Sequence, residues 1–235
     1  MTTDTGVAAV DRALALLDAF KDSDYSLTLA EIAQRTGLYK STILRLADSL
    51  QRAGFLKRLA DGSFQVGPQP LRLGAIYQRQ CRTSEHVPAV LREVCNATNE
   101  CASFYVRDAG FAVCLHRVDS ARIIRDAIRE GDRLPIDKGA AAHVLRAFTG
   151  EQGDKYERIR QELFCASFGE SDPEIAALSV PVLGVGRQLV GGLTISGPRY
   201  RLEDQGSKRL LPPLFAGARK LAVIFGGLDD WYPQA

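Results

Sequence analysis

A cluster of polar side chains stands at the start of one apolar-periodic segment, away from its apolar stripe: Tyr39, Lys40, Ser41, Thr42 and Arg45. The hydroxyls suit hydrogen bonds to phosphates or base edges, the lysine suits a phosphate, and the arginine can pair bidentately with guanine. The tyrosine suits the DNA backbone or a thymine methyl group. A helix whose N-terminal half enters the major groove needs such a set. The spacing therefore predicts a recognition helix, and the alternative is a solvated helix face.

Three helical segments and a hairpin surround this cluster and predict a winged helix-turn-helix. Apolar periodicity and capping signals place the helices at about 8–21, 28–37 and 39–53. Thr28 and Glu31 fit a capping box at the start of the second helix. The sequence FLKRLADGSFQVG alternates around Asp61-Gly62, which predicts a hairpin with a two-residue turn. Lys57 and Arg58 flank this wing, within reach of phosphates or the minor groove.

The basic surplus of the chain is local. The 235 residues have a net charge of only +2 and the 46% apolar content of an ordinary globular protein. Between residues 29 and 66 six Lys and Arg face three Asp and Glu, whereas residues 81–235 hold 20 of each sign. No apolar run reaches the roughly 20 residues of a membrane span, and the N-terminus has no secretory signal. The five cysteines form no C-x-x-C pair. These features predict a cytoplasmic protein without a membrane partner.

The second part of the chain mixes helices with paired strands and predicts an α+β domain. Strands are expected in ECASFYVRDAG and FAVCLHRVDS, and a second hairpin in ALSVPVLG and RQLVGGLTISG. The segment ARIIRDAIREG is expected to be a strand or an irregular crossover. Helices are expected at about 87–98, 139–147, 154–164 and 204–225. The predicted organisation is a DNA-binding domain at 1–67, a linker helix at 68–82 and an effector-binding domain at 83–235.

Two features of the second part have the chemistry of a ligand pocket. Small residues open the helix near residue 139, so a carboxylate can approach the backbone N–H groups of Ala140 and Ala141 at the positive end of the helix dipole. Thr194 and Ser196 lie two residues apart on a strand, so their hydroxyls share a face. The alternatives are tight helix packing by the alanines and hydroxyls that face solvent.

Five segments, VDRALALLDAF, LTLAEIAQRTGLYKSTILRLADSLQRAGFLKR, SFQVGPQPLRLG, GDRLPIDKGAAAHVLRA and SVPVLGVGRQLVGGLTISGP, resemble the IclR-type bacterial transcription regulators. The resemblance covers nearly the full chain. It implies a winged helix-turn-helix, a linker helix and a GAF-like domain with an antiparallel sheet and flanking helices. It also implies a homodimer or tetramer on double-stranded operator DNA, regulated by a small-molecule effector.

The resemblance also implies an effector pocket lined by residues of three segments: Ala140, Ala141, Ile175, Ala177, Thr194 and Ser196. In it, the amides of Ala140 and Ala141 match those that hold the carboxylate of the effector. Ile175 and Phe104 are expected to cover the apolar part of the ligand. The expected effector is a small carboxylic acid, aromatic or short-chain.

Cysteines and histidines leave other functions open. A redox- or metal-responsive regulator on the same fold would bring Cys101, Cys114 and His116 together, and alternation puts Cys114, His116 and Val118 on one strand face. His116 is then either a pocket residue or a packed histidine, and two ligands are too few for a structural zinc site. A small-molecule enzyme is the remaining alternative, but no G-x-S-x-G, H-E-x-x-H, P-loop or dinucleotide motif occurs. No catalytic residue, metal or cofactor is therefore predicted.

Overall fold

The chain forms two compact units. A computed structural model describes residues 6–21, 23–80 and 85–233, with the side chains of 78–80 left aside. The first unit comprises Met1–Arg82 and the second Thr83–Ala235. The predicted boundary between linker and second domain lies outside the described residues, and the three-part division stays a prediction.

The first unit is a three-helix core with a two-stranded wing. Its elements are α1 (Ala8–Asp18), α2 (Leu29–Thr36), α3 (Lys40–Arg52), β1 (Leu56–Arg58), β2 (Phe64–Val66) and α4 (Gln69–Gln80). Leu16, Ile32, Ile43 and Phe64 are almost fully buried, one from each of the first three helices and one from the wing. The apolar stripes of the helices therefore close one small core under the wing, which leaves the polar side of α3 outside it.

Local sequence signals set the helix ends of this unit. The side chain of Thr28 accepts a hydrogen bond from the Glu31 N–H, and the Glu31 carboxylate accepts one from the Thr28 N–H, which confirms the predicted capping box. Gly37 ends α2 in the left-handed conformation, with φ of 70°. The wing is a hairpin, but the predicted two-residue turn is wrong. Residues 59–63 join the strands, because the Asp61 carboxylate accepts hydrogen bonds from the Ser63 N–H and hydroxyl and holds a wider loop.

The second unit is built on one antiparallel sheet of six strands, in the order β5-β4-β3-β8-β7-β6. Its elements are α5 (Val87–Thr98), β3 (Cys101–Asp108), β4 (Phe111–Val118), β5 (Arg133–Pro135), α6 (Ala140–Ala147), α7 (Asp154–Glu162), β6 (Cys165–Phe168), β7 (Ile175–Leu183), β8 (Leu189–Pro198) and α8 (Arg199–Ile224). The α+β fold class predicted from the sequence is confirmed. For the segment between β4 and β5 the sequence predicts either a strand or an irregular crossover, and the segment is an irregular crossover.

The two faces of this sheet are used differently. One face packs its alternate side chains, Phe104, Leu178, Leu193 and Ile195 among them, in one buried cluster with α5 and α8. The other face carries α6 near its centre and is less completely filled. The helix α8 begins at Arg199, five residues before its predicted start, and Gly206 interrupts it with non-helical backbone angles. None of the helices in the described ranges is long and apolar enough to cross a bilayer.

Candidate functional site

The polar cluster of the first unit lies at the solvent-exposed start of α3. Tyr39 is the N-cap residue and is 85% exposed, and Lys40, Ser41 and Arg45 are exposed as well. Thr42 is half-buried, next to Ile43 in the core. The structure therefore places most of the cluster on a surface that the core does not use. Whether these residues contact DNA stays a prediction.

The wing adds two exposed cations to the same unit. Lys57 and Arg58 occupy the exposed positions of β1, while Leu56 faces the core. The guanidinium group of Arg58 lies 5.6 Å from the centre of the Phe64 ring, so a core residue orients its stem while its charge stays accessible. Both cations can therefore reach a polyanion without loss of core packing.

A cavity of about 570 Å³ opens on the less filled face of the sheet in the second unit. Its walls are the start of α6, strands β3, β7 and β8, and the crossover between β4 and β5. It is lined by six of the predicted pocket residues: Ala140, Ala141, Ile175, Ala177, Thr194 and Ser196. The volume lies within the range typical of small-molecule sites.

The start of α6 offers backbone donors to this cavity. Gly139 caps the helix with φ of 91°, a conformation that disfavours any residue with a Cβ atom. Its N–H donates to the Glu170 carboxylate at 3.0 Å, so this helix end already binds one carboxylate of the protein itself. Ala140 and Ala141 line the cavity and their N–H groups belong to the first turn, which has no intrahelical acceptors. These amides can hold a second carboxylate.

The strand hydroxyls opposite this helix differ in their partners. The Thr194 hydroxyl donates to the Ser179 hydroxyl at 2.8 Å, and both side chains are buried. The Ser196 hydroxyl is buried without a hydrogen-bond partner in the described part of the chain. A buried polar group in that situation calls for water or a ligand as its partner. Ser196 is thus the more available of the two hydroxyls.

Phe104 and His116 lie on the other face of the sheet, so the structure does not bring them into the cavity. Phe104 packs in the cluster beneath α5 and α8. A β-bulge between Phe104 and Tyr105 pairs Cys114 with Tyr105 but His116 with Phe104. Directly paired residues share a face, so the predicted alignment of Cys114 with His116 is wrong. His116 is buried, and burial lowers the pKa of its imidazole.

Of the lining residues that the sequence did not identify, Tyr105 and Asp126 matter most for the chemistry of the cavity. Tyr105 takes the place foreseen for Phe104, because it pairs with Gly192, two residues before Thr194, and so shares the cavity face with Thr194. Strand alternation puts Phe104 and Tyr105 on opposite faces, but the pairing register is needed to tell which face holds the cavity. Burial raises the pKa of the Tyr105 phenol, which stays protonated at neutral pH. Asp126 lies in the irregular crossover, where no periodic signal marks it.

A triad of titratable side chains supports the helix end from outside the cavity. His143 Nε2 lies 2.6 Å from Glu170 Oε2 and 2.8 Å from Lys155 Nζ. Burial lowers the pKa of His143 although the Glu170 hydrogen bond opposes this, and Lys155 adds to the lowering. Glu170 thereby connects His143 to the Gly139 N–H, which fixes the position of the first turn.

The cysteines are poorly suited to redox or metal chemistry. Cys95, Cys101, Cys114 and Cys165 are buried free thiols, and Cys81 lies outside the described residues. Burial raises the pKa of Cys114 to about 12 and that of Cys165 to about 11, which disfavours the reactive thiolate. Within the described ranges, no three His, Cys, Asp or Glu side chains form a group that could hold a metal. These observations give the redox- or metal-responsive alternative no support.

Two family profiles match the chain, one in each unit. The IclR helix-turn-helix domain matches residues 9–60, and the bacterial transcriptional regulator IclR C-terminal domain matches residues 153–223. The HTH-type transcriptional regulator KipR of Bacillus subtilis is 26% identical over 220 residues, which span 83% of this chain and 88% of KipR.

Solved structures of similar proteins have the same fold. An IclR transcriptional regulator from Alicyclobacillus acidocaldarius aligns with a TM-score of 0.76 at 21% identity, over 94% of this chain and 100% of that one. An IclR homologue from Microbacterium hydrocarbonoxydans, complexed with 4-hydroxybenzoate, aligns with a TM-score of 0.72 at 18% identity, over 92% of this chain and 98% of that one.

Proposed function

We propose that this chain, which belongs to the IclR family of bacterial transcription regulators, is a ligand-responsive regulator that works in the cytoplasm. Its first unit binds operator DNA, and its second unit binds a small carboxylic acid. The family is one of transcription regulators and not of enzymes, as its relative KipR illustrates.

The exposed start of α3 supports the DNA-binding role. Arg45 and Lys40 project from a helix whose opposite side is anchored in the core by Ile43 and Ala47. A recognition helix needs this division, because its reading face must be free while its position is fixed. Arg45 is assigned to base recognition, and Lys57 on the wing is assigned to a phosphate.

Exposed apolar side chains of the first unit support a homodimer or tetramer. Val10 and Leu14 on α1 are 53% and 52% exposed, and Leu71 on α4 is 79% exposed. Val10 and Leu14 lie one turn apart on α1, and neighbouring exposed apolar side chains are typical of interaction surfaces. A dimer would also place two recognition helices on a pseudo-palindromic operator, which multiplies the few phosphate contacts of one small winged helix.

The observation that carries the sensing role is that first-turn helix amides lie across one cavity from a buried hydroxyl, which has no hydrogen-bond partner within the described ranges. The first-turn amides of Ala140 and Ala141 supply donors and a positive dipole for a carboxylate. Ser196 and Thr194 supply groups that orient the ligand, and Ile175 and Tyr105 supply apolar surface. The 4-hydroxybenzoate bound by the Microbacterium homologue is an acid of this class.

DNA binding is tested with the full-length protein and a duplex selected from a random library, followed by fluorescence anisotropy. We expect the affinity to fall steeply with salt, because each neutralised phosphate contributes a slope of about −0.9 in log K against log [salt]. A scrambled duplex of equal length is the control. Salt-independent binding, or a protein that is monomeric at micromolar concentration, contradicts the proposal.

Ligand binding is tested by a thermal-shift screen of small carboxylic acids, followed by operator binding in the presence of each acid that binds. Ala141→Asp should abolish the shift, because a like charge then occupies the place of the carboxylate. Ala109→Asp is the matched control, since Ala109 is exposed in the β3–β4 turn at φ of 47°, which aspartate tolerates. An acid that binds Ala141→Asp as tightly as the wild type would place the ligand elsewhere.

A further inference from the structure

Asp126 is a buried carboxylate in the otherwise exposed crossover between β4 and β5. Residues 121–125 are all exposed, whereas the Asp126 side chain is only 4% exposed and lines the cavity. Arg117 Nη2 donates to its Oδ1 at 2.5 Å, and the Ile128 N–H donates to the same oxygen at 3.2 Å. Its Oδ2 is buried and has no hydrogen-bond partner among the described residues.

Anchoring of the crossover does not account for this second oxygen. The contacts with Arg117 and Ile128 both use Oδ1, so the anchor is complete without Oδ2. A buried charged acceptor left without a donor is costly, and such groups are rare unless a function retains them. Because Asp126 lines the cavity, a donor on a molecule in the cavity can supply the missing hydrogen bond.

The charges around Asp126 indicate what kind of donor fits. Arg117 Nε also donates to Asp119 at 2.7 Å, and Arg125 pairs with the other oxygen of Asp119 at 3.2 Å. Among these four side chains two arginines balance two aspartates, and Arg117 neutralises Asp126 directly through its Oδ1. A ligand cation at Oδ2 would have to share the charge of Asp126 with the Arg117 guanidinium and would be repelled by it, whereas a neutral hydroxyl meets no such repulsion and loses little hydration. The site fits a hydroxyl better than an ammonium group.

We propose that Asp126 is a specificity-determining residue that accepts a hydrogen bond from a hydroxyl group of the ligand. The ligand is then a hydroxylated carboxylic acid, with its carboxylate at the first turn of α6 and its hydroxyl at Asp126. This inference rests on the proposed sensing of a carboxylic acid in the same cavity. Arg117 acts as a positioning residue, because it holds the carboxylate of Asp126 at the cavity wall.

Matched acids test this directly on the full-length wild-type protein by calorimetry. The probes are benzoate, its three monohydroxy derivatives and their methyl ethers, with propionate, butyrate and their hydroxy derivatives as aliphatic probes. We expect at least one hydroxy acid to bind about tenfold or more tightly than both its parent and its methyl ether, because a hydrogen bond to a charged group is gained. The methyl ether keeps the oxygen but cannot donate.

The Asp126→Asn variant tests whether Asp126 causes the preference for hydroxy acids. It should reduce the hydroxyl preference to about threefold or less, measured as the ratio of affinities for the hydroxy acid and its parent, because the loss of one negative charge acts on both acids alike and cancels in that ratio. Asp132→Asn, at a half-buried carboxylate of the same cavity, should keep the full preference. If Asp126→Asn does not fold, the wild-type comparison of hydroxy acid with methyl ether still decides the ligand class.

The outcomes separate the two proposals. Acids that bind without any hydroxyl preference overturn this inference and leave the proposed function standing. A preference that persists in folded Asp126→Asn also overturns it, because another group then reads the hydroxyl. Failure of every acid to bind overturns the proposed function, and this inference with it.

Discussion

Ser196→Ala should change stability and ligand binding in opposite directions. Ser196 lies on β8 between Cys101 of β3 and Ala177 of β7, and it is 3% exposed. Its hydroxyl has no partner in the described structure, so its removal breaks no protein hydrogen bond. The substitution instead removes the free-energy cost of keeping a polar hydroxyl group away from water.

The magnitude follows from that desolvation. A buried hydroxyl without a hydrogen bond costs roughly 1–3 kcal/mol in protein mutational data. We expect the low end for Ser196, about 1 kcal/mol, because the cavity beside it has room for water. For a protein of this size, 1 kcal/mol raises Tm by about 2–4 °C. The affinity for a bound acid should fall about 2- to 13-fold, for the loss of 0.5–1.5 kcal/mol in one hydrogen bond.

Thr194→Val is the matched control on the same strand face. Thr194 donates to Ser179, which is fully buried, so valine leaves the Ser179 hydroxyl without its donor. We expect this variant to lose about 1 kcal/mol or more of unfolding free energy. Two near-isosteric changes two residues apart should therefore shift stability with opposite signs.

Urea unfolding followed by tryptophan fluorescence measures both effects. The only tryptophan of the sequence, Trp231, lies in the second unit, so its signal reports that unit. A lower unfolding free energy for Ser196→Ala would refute the assignment of an unpartnered hydroxyl. A more stable Ser196→Ala that binds an acid as tightly as the wild type would show that Ser196 does not touch the ligand.

Three further predictions concern single side chains. Arg45→Ala should lower the binding free energy for the selected duplex by about 1–3 kcal/mol and relax base preference. Lys57→Ala should weaken binding to selected and scrambled duplexes alike and reduce the salt slope by about one. Fluorescence anisotropy measures both variants. Thr28→Ala should destabilise the first unit by about 1 kcal/mol in calorimetric unfolding, through loss of the capping box. Folded His143 binds its proton less tightly than the unfolded chain, so the second unit should lose stability as pH falls through about 6.5. His143→Gln should reduce that loss between pH 7.5 and 5.5 in urea unfolding, and an unchanged loss would rule out this residue as its source.

Much of the first unit could be predicted because its signals are local. The capping box of α2 and the glycine that ends it lie within nine residues of each other, and each specifies its own backbone geometry. The same holds for α5, whose bounds agree with the periodic segment at 87–98. The hairpin turn failed for a local reason as well, since the side chain of Asp61 competes with the tight turn.

The cavity depends on pairing between distant strands, and there the sequence was less informative. One β-bulge in the pairing of β3 with β4, between Phe104 and Tyr105, reverses the faces of the β4 side chains beyond it. The order of apolar and polar residues in β4 does not show where this bulge lies. Thr194 and Ser196 were found because β8 is regular across this stretch, while Asp126 lies where the chain has no period at all. Aperiodic segments hide functional residues because their side-chain directions are set by tertiary contacts.

The two faces of the six-stranded sheet explain how a stable unit can carry an unfilled site. The face beneath α5 and α8 is densely packed and supplies the core. The other face retains a cavity and two buried polar atoms, Ser196 Oγ and Asp126 Oδ2, that have no hydrogen-bond partner among the residues that the structure describes. Each is a local deficit in stability, and each can be relieved by a ligand that binds only the folded state. A ligand shifts the equilibrium between two arrangements of a protein only by the difference between its affinities for them. An acid that satisfies these two atoms in one arrangement and not in the other therefore favours the first.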